Sequence, residues 1–145
     1  MPPHNGHLAL IDFALKRCDI LFLCICTNKD EPIDGRLRYQ WLKTLVPNDR
    51  GIKILHIKAR LPRDKVPTPR ASRIWASYIR KRVGEIDVLF TSEKFGDTMA
   101  KYLSCQHVIF DYRRRIHPIS ATEIRRNPLE NITHLPEVIK KYFTG

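Results

Sequence analysis

A chain of 145 residues, 43% of them hydrophobic, has the size and apolar content of one compact domain with a core of its own. Its 26 Lys and Arg against 15 Asp and Glu leave a net charge of +11, which favours an anionic partner (a nucleotide, a nucleic acid or an acidic membrane surface) without choosing among them. The first residues lack the basic-then-apolar pattern of a signal peptide, "ILFLCIC" is far too short to span a bilayer, and Cys18, Cys24, Cys26 and Cys105 show no C-x-x-C pairing, so secreted, membrane-spanning and zinc-ribbon classes are disfavoured and a reducing cytoplasm fits best.

In chain order, the period of Leu8, Ile11, Phe13, Ala14 and Leu15 predicts a helix from His7 to Lys16, directly after a glycine. Asp19 to Thr27 is a continuous apolar run between polar residues, the pattern of a strand covered on both faces. A polar turn, "NKDEPIDG", leads into a helix over "RLRYQWLKTLV" with Leu37, Trp41, Leu42 and Leu45 on one face, and Ile52 to Ile57 reads as a second strand. "KARLPRDKVPTPR", with its prolines and no sustained period, predicts an exposed loop of a length that is often functional. "ASRIWASYIRKRVG" resumes a helix with Ile74, Tyr78 and Trp75 turned inward and Gly84 placed to end it. Ile86 to Thr91 is a third strand, "GDTMAKYLS" a third crossover helix, and His107 to Asp111 a fourth strand. "SATEIRRNP" reads as a short helix stopped by Pro128, and "LPEVIKKYF" as a terminal helix.

Strands alternating with helices predict an α/β fold: a Rossmann-like, doubly wound parallel sheet with right-handed crossovers, formed as a single domain over residues 1–145 with no internal repeat and no linker. In such folds ligands bind beyond the carboxyl ends of the strands, where helix N-termini offer N–H groups to phosphates. Two segments suit that position. In "PHNGH", Gly6 permits close backbone approach, while His4 and His7 are candidates to hydrogen-bond phosphate oxygens or stabilise charge on a reacting phosphorus. In "PISATEIRRNP", Ser120 is a natural N-cap with Thr122 and Arg125 near enough to join it at an anion; the alternative is an ordinary cap in which Glu123 completes a capping box with Ser120.

A His-x-Gly-His loop near one end of an α/β chain and "ISATEIR" near the other resemble the paired signature of the nucleotidyltransferase superfamily. "FTSEKFGDTMAKYL", the spacing from Asp111 through Arg114 to "PISATEIRRNPL", and the ending "LPEVIKKYF" resemble more narrowly the NadR-type nicotinamide-mononucleotide adenylyltransferases, over nearly the whole chain and most specifically in its last third. The resemblance implies an enzyme in which the phosphate of nicotinamide mononucleotide attacks the α-phosphorus of ATP, giving NAD and pyrophosphate. ATP is then a substrate, and Mg2+ is carried on the triphosphate rather than by protein ligands. By the same resemblance His4 and His7 contact the triphosphate, Asn5 and Gly6 shape the loop, and Ser120, Thr122 and Arg125 hold the β- and γ-phosphates with help from Arg114. Ser92 and Glu93 of "TSEK" are candidates for ribose or base contacts, with an exposed turn as the alternative. Trp75 falls where the family often carries an aromatic against the nicotinamide ring; its alternative is a core tryptophan. Trp41 and His56 are assigned to structure, and His107, His117 and His134 receive no role.

Family members begin with an apolar strand leading into a Gly-x-Phe-x-Pro-x-His turn, whereas this sequence starts at "MPPH", with Pro2 in the place of that proline. In a doubly wound sheet that strand is interior, so its loss would forfeit roughly five ladder hydrogen bonds at about 1 kcal/mol each and several buried side chains at about 1.5–3 kcal/mol each. The expectation is that the start is internal to a longer chain; the alternative is a shortened homologue repaired by strand rearrangement or association of copies. The functional alternatives are a related nucleotidyltransferase with another phosphorylated acceptor, or a noncatalytic protein binding nucleotides or nucleic acid. Small-molecule nucleotides are the expected partners and no membrane is expected.

Overall fold

The computed structural model describes residues 2–27, 30–46, 51–58, 60–62 and 68–145. The chain divides into two compact units, Met1–Ala59 with Arg114–Gly145, and Arg60–Arg113, so the second is an insertion in the sequence of the first. Both are α/β.

The first unit opens with helix α1 (Asn5–Leu15), two residues earlier than its apolar period suggested, because His4 takes the N-cap position. Strand β1 (Leu21–Cys26) buries Leu21 and Ile25 and leaves Cys24 exposed, so the cover expected on both faces is met on one. Helix α2 (Gly35–Leu45) starts at an Asp34 cap whose Oδ1 accepts the Arg36 N–H at 2.7 Å. It packs across β1 and strand β2 (Ile52–Ile57), which pair in parallel with Ile25 opposite His56. Three further elements return to this unit: α5 (Ala121–Arg126), a 3-10 turn (Ile132–His134) and α6 (Glu137–Thr144). The turn at 132–134 has no counterpart in the sequence reading, since three residues are too few to show a period.

Their shared core is Ile33, Trp41, Ile119, Ile124, Leu135 and Ile139, with Leu37, Leu45, Val138 and Phe143 against it. Trp41 is a packing residue, 5% exposed, with its ring edge-on to Tyr142 at 5.4 Å. Arg38, on the neighbouring flank of α2, is also buried, where it pairs with Glu31 and donates to the Cys26 carbonyl at 3.3 Å. A charged residue at that depth was invisible in a pattern read only from apolar positions.

The second unit is helix α3 (Pro69–Val83), strand β3 (Val88–Thr91), helix α4 (Gly96–Leu103) and strand β4 (Gln106–Ile109). Thr68 caps α3, its hydroxyl accepting the Ala71 N–H at 3.1 Å, and Pro69 supplies a preset φ at the first helical position. Part of the proline-rich loop expected before it, residues 59 and 63–67, lies outside the described residues, as do residues 28–29 of the turn after β1. The inward face of α3 carries Ser72, Ala76 and Ile79 with Trp75, whereas the expected Ile74 and Tyr78 stay outside the core cluster. Small side chains let α3 lie close on α4, and Met99 and Leu103 fill the seam. Strand β4 ends before the predicted Asp111, whose φ of +47° leaves the extended region.

The described strands form two parallel pairs, β1 with β2 and β3 with β4: the α/β class and the parallel pairing expected are present, and among the described residues no doubly wound sheet is formed. Each pair joins strands linked by one crossover helix, the most local parallel pairing available to the chain.

Both pairs carry the same device at the same register. Thr27 Oγ1 lies 2.9 Å from His56 Nε2, and His56 faces Ile25, two residues before Thr27. Thr91 Oγ1 lies 2.7 Å from His107 Nε2, and His107 faces Leu89, two residues before Thr91. In each pair a glycine opens the crossover helix against the threonine: a Cβ on Gly35 would overlap Thr27, and one on Gly96 would overlap His107 and Thr91. The two halves share no visible sequence repeat, yet they solve the strand-to-helix corner alike.

Ile124→Ala, which empties a fully buried site, is expected to cost about 2–5 kcal/mol in urea unfolding, while Leu129→Ala at an exposed site stays within about 0.5 kcal/mol. Gly96→Ala, which overpacks the corner, is expected to cost about 1–3 kcal/mol by the same measurement.

Candidate functional site

The start of α1 is closed by imidazoles where most helices use a hydroxyl or carboxylate. His4 is extended (φ −131°, ψ 171°), and its Nδ1 accepts the Gly6 N–H at 3.1 Å. His7 reaches back so that its Nδ1 accepts the His4 N–H at 3.2 Å, a reciprocal capping box. The rings stack at 3.7 Å with 29° between their planes. Since both Nδ1 atoms act as acceptors, the neutral rings carry their protons on Nε2.

Burial dominates the electrostatics of this pair. His4 is 3% exposed; desolvation, with repulsion from His7, Arg114, His117 and His134, lowers its pKa to about 3. Desolvation and Arg114 lower that of His7 to about 4. At neutral pH both are therefore uncharged N–H donors. Neither ring carries charge of its own at neutral pH, and the fixed positive charge acting on both is that of Arg114.

Gly6 is required by this stack, because a Cβ there would lie 2.9 Å from the His4 ring and 3.6 Å from His117 Cβ. Asn5 fastens the loop to the carboxyl-terminal third of the chain: its Nδ2 donates to the Thr133 carbonyl at 3.4 Å. Arg114, held at φ +51°, donates from Nη1 to the Ile119 carbonyl at 3.0 Å. A left-handed conformation at a non-glycine residue costs about 1–2 kcal/mol and here aims a guanidinium.

Ser120 behaves as the capping alternative described. Its hydroxyl accepts the Glu123 N–H at 3.2 Å, while its own N–H and O–H both reach Glu123 Oε2, at 2.8 and 2.6 Å. Those bonds, followed by attraction to Arg114 and His134, lower the Glu123 pKa. Thr122 Oγ1 accepts from Arg125 Nη2 at 3.1 Å, and both residues are exposed on α5. The first unit thus gathers His4, Asn5, Gly6, His7, Arg114 and Ser120 from opposite ends of the sequence, with Thr122 and Arg125 on the same short helix as the Ser120 cap. His117, Glu123 and His134 belong to the same group. Glu123 was legible only as a cap, and nothing in the sequence near His117 or His134 marks them.

The remaining candidates lie in the second unit. Trp75 donates from Nε1 to the Pro62 carbonyl at 2.9 Å, and its ring packs against the Ala76, Met99 and Leu103 cluster. Ser92 and Glu93 form the turn after β3, where Thr91 Oγ1 donates to the Glu93 carbonyl at 2.9 Å. His107, given no role from sequence, joins Thr91 through Nε2 and Asp97 through Nδ1, at 2.7 and 2.6 Å, and so ties that turn to the first residues of α4.

Among the described residues no group of three or more His, Cys, Asp or Glu side chains is arranged to hold a metal ion, and no helix is long and apolar enough to cross a membrane. No protein-family model matches the chain.

The histidine cap makes stability pH-dependent with a definite sign. Both folded pKa values lie below the ordinary 6.5, so the unfolded chain binds protons first, and this stability, complete above about pH 6.5, is lost as pH falls toward 4. Each ring contributes a slope of up to about 1.4 kcal/mol per pH unit in that window. The double variant His4→Asn/His7→Gln keeps an N-cap and a capping-box partner without titrating; urea unfolding between pH 7 and 4 is expected to show a shallower decline for it than for the wild type.

Proposed function

We propose that the protein is an adenylyltransferase that joins ATP and nicotinamide mononucleotide. The observation that carries this reading is the meeting, in one compact unit, of the His-x-Gly-His turn with the segment from Arg114 to the Ser120 cap. Segments more than 100 residues apart are drawn together, and what they bring is rich in N–H donors and guanidinium groups.

The reaction is a direct displacement. A phosphate oxygen of nicotinamide mononucleotide forms a bond to the α-phosphorus of ATP as the bond from that phosphorus to the β-bridging oxygen breaks, and pyrophosphate leaves. Mg2+ enters with the triphosphate as part of the substrate. The Nε2–H groups of His4 and His7 donate to phosphoryl oxygens, a role suited to rings that burial keeps neutral. Arg114 and Arg125 supply permanent charge in planar donor forks. Thr122 accepts from Arg125, which leaves its O–H as a donor. Ser120 contributes by fixing the start of α5 through Glu123. Most of the acceleration on this reading is positioning and electrostatics rather than proton transfer. The reducing cytoplasm is the compartment that goes with it.

Pyrophosphate release from MgATP and nicotinamide mononucleotide is the test, with phosphopantetheine and glycerol phosphate as competing acceptors and CTP as competing donor. Arg125→Ala is expected to lower the rate at least tenfold. Arg126→Ala, which removes the same charge from the next position on α5, is expected to change it less than twofold. Release with another acceptor instead would reassign the substrate; no release with any pair, together with salt-dependent binding to RNA or DNA, would replace this reading with the nucleic-acid one.

A further inference from the structure

Two histidines outside the His-x-Gly-His motif stand at the same place. His117 packs its Cβ 3.6 Å from where a side chain on Gly6 would begin. His134 closes the 3-10 turn Ile132–His134, whose neighbouring Thr133 carbonyl takes the Asn5 side-chain bond at 3.4 Å, and its own N–H is fixed on the Asn131 carbonyl at 3.0 Å. Three chain segments, from the amino end, from 114–120 and from 131–134, therefore bring imidazoles and a guanidinium to one locus. The electrostatics agree with the geometry: Arg114, His117 and His134 all oppose a proton on His4, and Arg114 and His134 both favour the ionised form of Glu123.

Glu123 is the carboxylate that feels both Arg114 and His134, and its Oε2 already takes two bonds from Ser120. Among the described residues the His134 ring has no hydrogen-bond or ion-pair partner. The Nδ1 atoms of His4 and His7 are occupied by backbone N–H groups, so the remaining N–H of each neutral ring is on Nε2. Imidazole N–H groups beside a guanidinium are the chemistry that suits an anion with several acceptor oxygens.

We propose that His117 and His134 are further phosphate-binding residues, completing with His4, His7 and Arg114 a cradle for an oligophosphate chain. The proposal rests on the reading above that this locus takes a triphosphate, and extends it to residues that lie outside both sequence signatures. The recognised chemistry is the chain of phosphoryl oxygens, from a nucleoside triphosphate or from free polyphosphate.

The experiment is isothermal titration of the full chain with inorganic tripolyphosphate, ATP and adenosine at fixed ionic strength, with thermal unfolding of every variant recorded in parallel. His134→Ala and His117→Ala are each expected to weaken tripolyphosphate and ATP binding about five- to tenfold. Lys43→Ala, which removes an exposed cation elsewhere on the same unit, is expected to change either less than twofold. His134→Asn and His117→Asn, which retain a side-chain N–H, are expected to stay within about threefold of the wild type and serve if the alanine variants unfold. Equal binding by wild type and the alanine variants would overturn the cradle and leave the triphosphate reading in place. Binding of ATP without tripolyphosphate would do the same, since the phosphate chain alone would then not be recognised. A wild-type chain that binds neither would overturn both.

Discussion

The first turn of α1 is held by two imidazole nitrogens, and the character of the site follows from that choice. A helix start needs acceptors for its open N–H groups, and here His4 and His7 supply them through Nδ1. The bond made on one side of each ring decides the proton on the other. Stacked and desolvated, the pair stays neutral, so the motif presents directional donors in place of charge. Gly6 and Asn5 serve the same arrangement, one by leaving room for the His4 ring and the other by tying the loop to residue 133.

Positive charge beside the pair comes separately, from Arg114. Placing a guanidinium at a left-handed residue and capping a six-residue helix with a closed Ser120–Glu123 box both restrict local freedom, which is how short segments acquire definite geometry without long secondary structure. Ile119 and Ile124, among the least exposed side chains of the molecule, anchor this stretch in the core that also holds Trp41 and Ile139. The polar group near the surface is thus positioned by apolar residues interleaved with it in sequence.

The second unit shows the same economy. Its parallel pair, like the first, ends in a threonine bonded to a histidine on the next strand, with a glycine-started helix laid over both. The acidic partner differs: Asp97 bonds His107 directly, while Asp34 is engaged by Arg36 and acts on His56 only through its field. One corner design therefore carries two electrostatic settings.

Much of this was readable in the residues. The alternation of apolar runs and amphipathic stretches located the strands and α-helices of the described residues, because strand and helix periods are local properties of the chain; the ends moved by a few residues where a cap such as His4 or Thr68, or a left-handed residue such as Asp111, decided them. Ser120 with Glu123 was legible as a capping box because both partners lie within one turn. What tertiary structure alone decided was whatever depends on how elements pack on one another: that the described strands pair β1 with β2 and β3 with β4, that Arg38 is buried with Glu31, that α3 turns Ala76 and not Ile74 inward, and that His117 and His134 stand beside Gly6 and Asn5. A local pattern records which face of an element is apolar, but the neighbour that meets that face is chosen by packing of the whole unit, and no periodicity within a single segment encodes it.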